Sequence, residues 1–104
     1  MKKTPKMLVP PQADYLLRLY VAGKTLKSTR AVERITLVCE EHLRGRYDLE
    51  IIDIFRHPHL ARAAQIVAVP TLVRRMPLPL HMLVGDMTNM NRVLCGLNLN
   101  TKES

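Results

Sequence analysis

Near the start of the chain, the residues Tyr15–Val21 form a mostly apolar run that ends at Ala22-Gly23. A run of this length and composition is typical of an interior β-strand that is covered on both faces. Such a strand can be stable only if helices and further strands pack around it. The elements that cover this strand therefore define the fold.

An amphipathic helix is predicted directly after this strand, with Ser28 as its N-cap and Gly45 as its end. Its apolar stripe recurs at three- and four-residue steps and consists of Ala31, Ile35, Val38, Cys39, His42 and Leu43. Leu49–Ile54 is predicted to be a second strand. Strand, helix and strand together predict a right-handed βαβ unit with parallel strands.

The elements of the second half are less well defined by the sequence. Pro58 can open a short helix over His59–Gln65, because proline is tolerated in a first turn. The apolar run Ile66–Val73 predicts a third strand, although Pro70 within it cannot donate a hydrogen bond to a sheet.

A fourth strand is predicted over Leu80–Val84, and Gly85 ends it. Thr88 is the predicted cap of a last helix whose apolar positions are Met90, Val93, Leu94 and Leu97. The resulting order, βαβ-α-ββα with an X-Pro bond in the third strand, is the plan of an α/β, thioredoxin-like fold.

The chain of 104 residues is long enough for one domain, which we place at residues 15–99. Residues 1–14 contain three prolines and no periodicity, so they are predicted to form a flexible arm, and residues 100–104 a C-terminal tail.

No apolar run approaches the roughly 18 residues of a membrane span, and no signal peptide is predicted. Cys39 and Cys95 lie in apolar helical patterns, so we expect packed, reduced thiols and a cytoplasmic location.

The net charge of +7 is compatible with nucleic-acid binding. The basic residues are nevertheless scattered, with Lys2, Lys3 and Lys6 in the arm, Arg30, Arg34, Arg44 and Arg46 on and after the first helix, and Arg74-Arg75 after a strand. No aromatic pair, GXXG loop or finger spacing accompanies them. The pattern favours a solvated basic surface that steers an acidic protein partner, and no nucleic acid is predicted as a partner.

The loop Ala22–Ser28 lies where a redox-active thioredoxin carries its C-x-x-C motif, and it contains no cysteine. Disulfide exchange through that loop is therefore excluded. Cys39 and Cys95 are expected to pack rather than to react. A contact between one of them and a histidine stays open, because spacing along the chain does not define it.

Metal, cofactor and catalytic residues are not predicted either. His57-Pro58-His59 brings two imidazoles close together, but no cysteine or acidic cluster completes a tetrahedral set, so a solvent-facing turn is predicted. The phosphate-binding patterns G-x-G-x-x-G and G-x-x-x-x-G-K-[ST] do not occur. The protein is therefore predicted not to be an enzyme.

Six segments of the chain together carry a resemblance: Leu19–Gly23, Ile52–Ile54, Val69–Leu72, Pro77–Pro79, Gly85–Asn89 and Val93–Leu99. In this order and spacing they resemble the KaiB family of cyanobacterial circadian-clock proteins over residues 15–99. The combination of the motifs L-Y-V-A-G and G-D-x-[ST]-N makes the resemblance specific to this family. A more distant resemblance is to the sensor domain of the clock-output histidine kinase.

The resemblance implies a non-enzymatic clock component that binds the hexameric ATPase KaiC or a KaiC-like ATPase. It also implies a switch of fold, with a homo-oligomer (tetramer or dimer) in equilibrium with a thioredoxin-like monomer. The C-terminal half would have an alternative arrangement, the KaiB ground-state fold. Pro70, Pro77 and Pro79 lie in the segment that would refold, and weak local preferences suit two packings that differ by only a few kcal/mol.

The resemblance assigns protein contacts to Arg30, Glu50, Gln65, Gly96 and Asn98. Three of these depart from the family pattern. Glu50 replaces a lysine on the strand that meets the clock protein KaiA, Gln65 replaces a lysine used against KaiC, and Asn98 replaces an aspartate beside the last-helix glycine. A reversed charge at an interface separates partners, so KaiA is a doubtful partner and the chain is interpreted as a divergent paralogue.

Two other classes of function remain as alternatives at this level. The first is a thioredoxin-like enzyme of redox or transferase type, and the second is a basic nucleic-acid-binding module. The partner, the resting oligomer and the dominant fold are not defined by the sequence.

Overall fold

A computed structural model describes residues 13–85 and 87–99 of the chain. The elements are β1 (Tyr15–Val21), α1 (Leu26–His42), β2 (Tyr47–Asp53), α2 (Pro58–Ala63), β3 (Thr71–Met76), β4 (His81–Val84) and α3 (Met90–Gly96). The strand order is β2-β1-β3-β4, with β1 parallel to β2 and antiparallel to β3, and β3 antiparallel to β4. The predicted βαβ-α-ββα order is therefore confirmed.

The larger core lies on the sheet face that α1 and α3 cover. Alternate residues of β1 point into it, because side chains along a strand alternate between faces. Leu17 and Leu19 are buried there with Ile35 of α1 and with Leu97, which directly follows α3. The apolar stripe of α1 thus packs as predicted.

The opposite face of the sheet is only partly covered. Tyr20, Ile52 and Val73 pack against α2, which is six residues long. Next to this small cluster, a row of paired residues crosses all four strands in the order Glu50, Arg18, Val73 and Met82. The row runs from an ion pair at the β2 edge to an apolar side chain at the β4 edge.

A buried hydrogen bond joins the first strand to the last helix. The Tyr15 hydroxyl donates to the Leu97 carbonyl oxygen at 2.8 Å. The same strand is tied to the loop before β2, since the Asp14 and Tyr15 amides both donate to the Arg46 carbonyl oxygen. Asp14 also pairs with the Arg46 guanidinium at 2.9 Å, so the last residue of the predicted arm is attached to the domain. Residues 1–12 and 100–104 of the predicted arm and tail lie outside the described residues.

Both predicted helix caps are wrong by a few residues. Thr25, not Ser28, caps α1, and its hydroxyl accepts from the Ser28 amide at 3.3 Å. Asn89, not Thr88, caps α3, and its side-chain oxygen accepts from the Arg92 amide at 3.1 Å. In each case several neighbouring side chains can cap, and the backbone path selects one of them.

The third strand begins later than predicted. Residues 66–70 form an irregular, bent loop instead of a strand, and β3 starts at Thr71, directly after Pro70. The Ile66 amide donates to the Ala61 carbonyl oxygen at 2.9 Å, and Val67 is 94 % exposed. The chain thus closes α2 with apolar residues that the sequence pattern assigned to a strand. The bounds of β2, α2 and β4 and the end of α1 also differ by one to three residues.

Among the described residues, none of the three helices combines the length and the hydrophobicity that a bilayer crossing requires.

Candidate protein-binding surface

The loop between β1 and α1 is held together by oxygen acceptors. The Ala22 amide donates to the Ser28 hydroxyl at 3.0 Å, and the Gly23 amide donates to Asp53 Oδ1 at 3.2 Å. Ser28 is itself buried. The loop in which a redox thioredoxin carries thiols is therefore held here by two hydrogen bonds from backbone amides, one to a hydroxyl group and one to a carboxylate.

The two cysteines lie in different surroundings. Cys39 is fully buried in α1, where burial and the nearby Glu40 charge raise the pKa of its thiol to about 12. Its predicted packing role is confirmed. Cys95 is exposed on α3, so the prediction of a packed thiol at this position is wrong. Cys95 lies on the side of α3 away from Val93 and Leu97, which face the core.

His57 and His59 are exposed, as predicted for a solvent-facing turn. Their rings lie edge to face with centroids 6.2 Å apart. Within residues 13–85 and 87–99, no three His, Cys, Asp or Glu residues are grouped as a metal site would need.

Glu50 lies on β2, an edge strand, and pairs across to Arg18 of β1 with Nε and Oε1 2.8 Å apart. The side chains are 53 % and 26 % exposed, respectively. The hydrogen bond to the Tyr20 hydroxyl raises the pKa of Arg18, burial lowers it, and Glu50 raises it further, with a net increase. The negative charge at position 50 is thus partly neutralised from within the sheet.

Gln65 lies just after α2, with φ of 58°, and its side chain is exposed. It lines a cleft of about 410 Å³ on the half-covered sheet face, together with Arg18, Arg75, Leu80 and Met82. Through Arg18, this cleft, which we call the α2-side cleft, is continuous with Glu50. The structure therefore brings Glu50 and Gln65 to one surface.

Gly96 and Asn98 lie elsewhere, at the end of α3. A Cβ atom at Gly96 would lie 2.7 Å from Cδ1 of Leu83, so this glycine lets α3 approach β4 closely. Asn98 follows with φ of 60° and is exposed. Arg30 is exposed on α1. The five residues assigned by resemblance thus fall on three parts of the molecule.

The three prolines assigned to a refolding segment surround β3. Pro70 is buried immediately before β3, and Pro77 and Pro79 lie in the connection to β4. Each is preceded by a cis peptide bond.

Two functional candidates, Arg18 and Arg74, were not found from the sequence. Arg18 becomes important through its register with Glu50, and Arg74 through its burial beneath α3. Both signals depend on strand pairing, which single-sequence patterns do not provide. An arginine in the middle of a predicted strand is the one local signal that could have drawn attention to Arg18. Arg74 was predicted to follow the third strand, and this was wrong, since β3 extends to Met76 and contains it.

Sequence comparisons identify relatives over nearly all of the domain. The KaiB domain family model matches residues 18–99. A circadian clock oscillator protein KaiB from Prochlorococcus marinus is 43 % identical over 89 residues, which cover 86 % of this chain and 75 % of that protein. The same protein of Thermostichus vulcanus is 39 % identical over 92 residues, with 88 % and 85 % covered. A circadian clock protein KaiB3 from Synechocystis is 39 % identical over 84 residues, with 81 % and 82 % covered.

Solved structures with the same fold are thioredoxin-like. The N-terminal domain of Synechococcus elongatus SasA superimposes with a TM-score of 0.67 at 21 % identity, covering 100 % of this chain and 99 % of that one. Mitochondrial thioredoxin 3 from Saccharomyces cerevisiae gives 0.69 at 18 % identity, covering 88 % and 83 %. These likenesses confirm the thioredoxin-like fold. The family model and the relatives of about 40 % identity place the chain in the KaiB family of circadian clock proteins.

Proposed function

We propose that this chain is a non-enzymatic, protein-binding component of a KaiC-type circadian clock or a related signalling system, and that it binds a KaiC-like ATPase. The observation that carries the proposal is the match to the KaiB family across residues 18–99. The thiol-free loop between β1 and α1 agrees with a binding role. The proposal includes a cytoplasmic location and no catalytic, cofactor or metal residue.

The α2-side cleft has the composition of a protein contact. Because α2 is short, it leaves Leu80 and Met82 at 56 % and 37 % exposure in the same cleft as Arg18, which pairs with Glu50. Exposed apolar side chains next to charged ones are typical of interaction surfaces. Gln65 lies at the rim of this surface, where a change of charge would alter the rate at which a partner associates.

Binding of the ATPase is tested with the full chain and a KaiC-like ATPase from its native host. We expect co-elution in size-exclusion chromatography and saturable binding by interferometry. Gln65→Lys should increase the association rate about threefold to tenfold, because peripheral charges steer encounter. Asn91→Lys adds the same charge on an exposed position of α3 and is the matched control. Absence of any complex with the ATPase would contradict the proposal.

We further propose that the C-terminal half has a second arrangement, in equilibrium with a homo-oligomer. The elements there are short, with six, four and seven residues in α2, β4 and α3. Isolated helices below about 12 residues are marginal in water, so packing alone decides their conformation. A concentration series in size-exclusion chromatography should show a tetramer or dimer giving way to monomer, with two sets of amide peaks in NMR spectra. One species with one set of peaks at every concentration would rule the switch out.

A further inference from the structure

Arg74 is a buried cation without an acidic partner in the part of the chain that the structure describes. It is 5 % exposed, and its Nη1 and Nη2 donate to the carbonyl oxygens of Gly96 at 2.6 Å and Pro79 at 2.9 Å. Within residues 13–85 and 87–99, no Asp or Glu oxygen lies within 4.0 Å of the guanidinium. Its Nε is also buried without a hydrogen-bond partner there. Two neutral carbonyl groups orient this charge but do not neutralise it, and an unneutralised buried charge is costly.

The same residue lines a cleft of about 400 Å³ between β4 and α3, which we call the α3-side cleft. Its polar lining also includes His81, Arg92 and Asn98, and the Cys95 thiol lies at the same cleft. Arg92 donates from Nη1 to the Val84 carbonyl oxygen at 3.1 Å. No carboxylate-bearing side chain among the described residues lines this cleft.

Two guanidinium groups in one cleft form a typical recognition site for oxyanions. Each arginine has five N–H donors in a planar fork, and the bonds to carbonyl oxygens leave several of them unused. Hydrogen bonds from a guanidinium to an ionised oxygen are about twice as strong as those between neutral groups. A cleft of this volume is at the lower end of ligand sites, which are about 300 Å³ and larger.

We propose that the α3-side cleft binds a small oxyanion, a phosphate monoester or a carboxylate, between Arg74 and Arg92. The anion neutralises the charge of Arg74, and Asn98 supplies a further polar contact at the rim. This site is distinct from the α2-side cleft and does not depend on binding of the ATPase. A failure of either proposal therefore leaves the other standing.

The Cys95 thiol provides a reporter for this site. The chain has two cysteines, and Cys39 is fully buried, so an uncharged alkylating reagent such as iodoacetamide should label Cys95 in the folded protein. The labelling rate is followed by mass spectrometry while inorganic phosphate replaces chloride at constant ionic strength. We expect the rate to fall severalfold and to saturate. Parallel titrations with glycerol phosphate and acetate distinguish a phosphate ligand from a carboxylate ligand by the concentration at half-protection.

Three variants distinguish specific anion binding in the α3-side cleft from a non-specific effect of the added salt on the labelling rate. Arg92→Gln removes an exposed guanidinium and should weaken protection by at least about tenfold. Arg30→Gln makes the same change on α1 and should leave protection unchanged. Arg74→Lys is included where circular dichroism shows that it folds, and it should weaken protection because lysine lacks the planar fork. Protection that does not saturate with any of the three anions, or that is equal in Arg92→Gln and the unmodified protein, would overturn the proposal and leave Arg74 as a structural cap of α3.

Discussion

Tyr15 and Tyr47 both donate a hydroxyl hydrogen bond, but their acceptors differ in burial. Tyr15 donates to the buried Leu97 carbonyl oxygen, whereas Tyr47 donates to the exposed Glu40 carboxylate. Tyr15→Phe should lower the free energy of unfolding by about 1–3 kcal/mol, because it leaves that carbonyl group unsatisfied. Tyr47→Phe should cost less than about 1 kcal/mol, because water replaces the partner. Urea unfolding of both variants measures the difference, and equal costs would contradict this account.

The Tyr47–Glu40 contact also predicts a pH dependence. The hydrogen bond that Tyr47 donates to Glu40 raises the pKa of Tyr47 from 10.0 to about 12, and the same contact lowers the pKa of Glu40. A raised pKa means that the contribution of Tyr47 to stability is present below pH 10.0 and is lost as the pH rises through about 12. The contribution of Glu40 is present above 4.5 and is lost as the pH falls through its lowered pKa.

Glu40→Gln removes the charge that holds the Tyr47 proton. The pKa of Tyr47 should then fall toward its ordinary value, as measured from the tyrosine Cζ chemical shift in NMR titrations. Glu41→Gln, the neighbouring exposed change, is the control. A Tyr47 pKa that is the same in both variants would show that the hydrogen bond does not set it.

At the level of elements, β1 and α1 could be predicted because their patterns are long and regular. β1 matches its apolar run, and the buried positions of α1 follow the predicted stripe. The start of β3 could not be predicted, since the apolar residues 66–69 follow the positive-φ turn at Gln65 and close α2. The position of Glu50 and Gln65 on one surface could not be predicted either, because it depends on which strands pair. Both features depend on tertiary contacts, which the local preferences of the sequence do not contain.

The cap of α3 gives a direct test at this scale. Asn89→Ala should destabilise the domain by about 1 kcal/mol, because it removes the oxygen that accepts from the Arg92 amide. Thr88→Ala should have little effect, since Thr88 is exposed and does not cap the helix. Thermal unfolding compares the two. A larger loss for Thr88→Ala would show that the position predicted from the sequence is the true cap.

For the whole molecule, the sharpest prediction concerns KaiA. The unmodified chain should not bind KaiA, because Glu50 places a negative charge on the strand that the family resemblance assigns to that contact. Glu50→Lys reverses the charge but also faces Arg18 at the position of a 2.8 Å ion pair. The double variant Arg18→Glu, Glu50→Lys restores an ion pair with its charges exchanged. We expect it to gain affinity for KaiA in the presence of the ATPase.

Glu41→Lys, an exposed change on α1, is the control for net charge. If the double variant and the control bind KaiA equally, the charge at position 50 does not determine whether KaiA binds. If the unmodified protein binds KaiA as tightly as the double variant, the interpretation as a divergent paralogue loses its main support.

The row Glu50, Arg18, Val73 and Met82 gives the sheet two ends that respond differently to ionic strength. Electrostatic attraction between exposed groups fades beyond about 8 Å at physiological salt and sooner at higher concentrations. Burial of apolar side chains is not screened in this way, and excluded salts such as sulfate strengthen it. A partner at the β2 end should therefore dissociate as sodium chloride is added, whereas one at the β4 end should persist. A salt series can thus report which end of the sheet a partner occupies before any complex is solved.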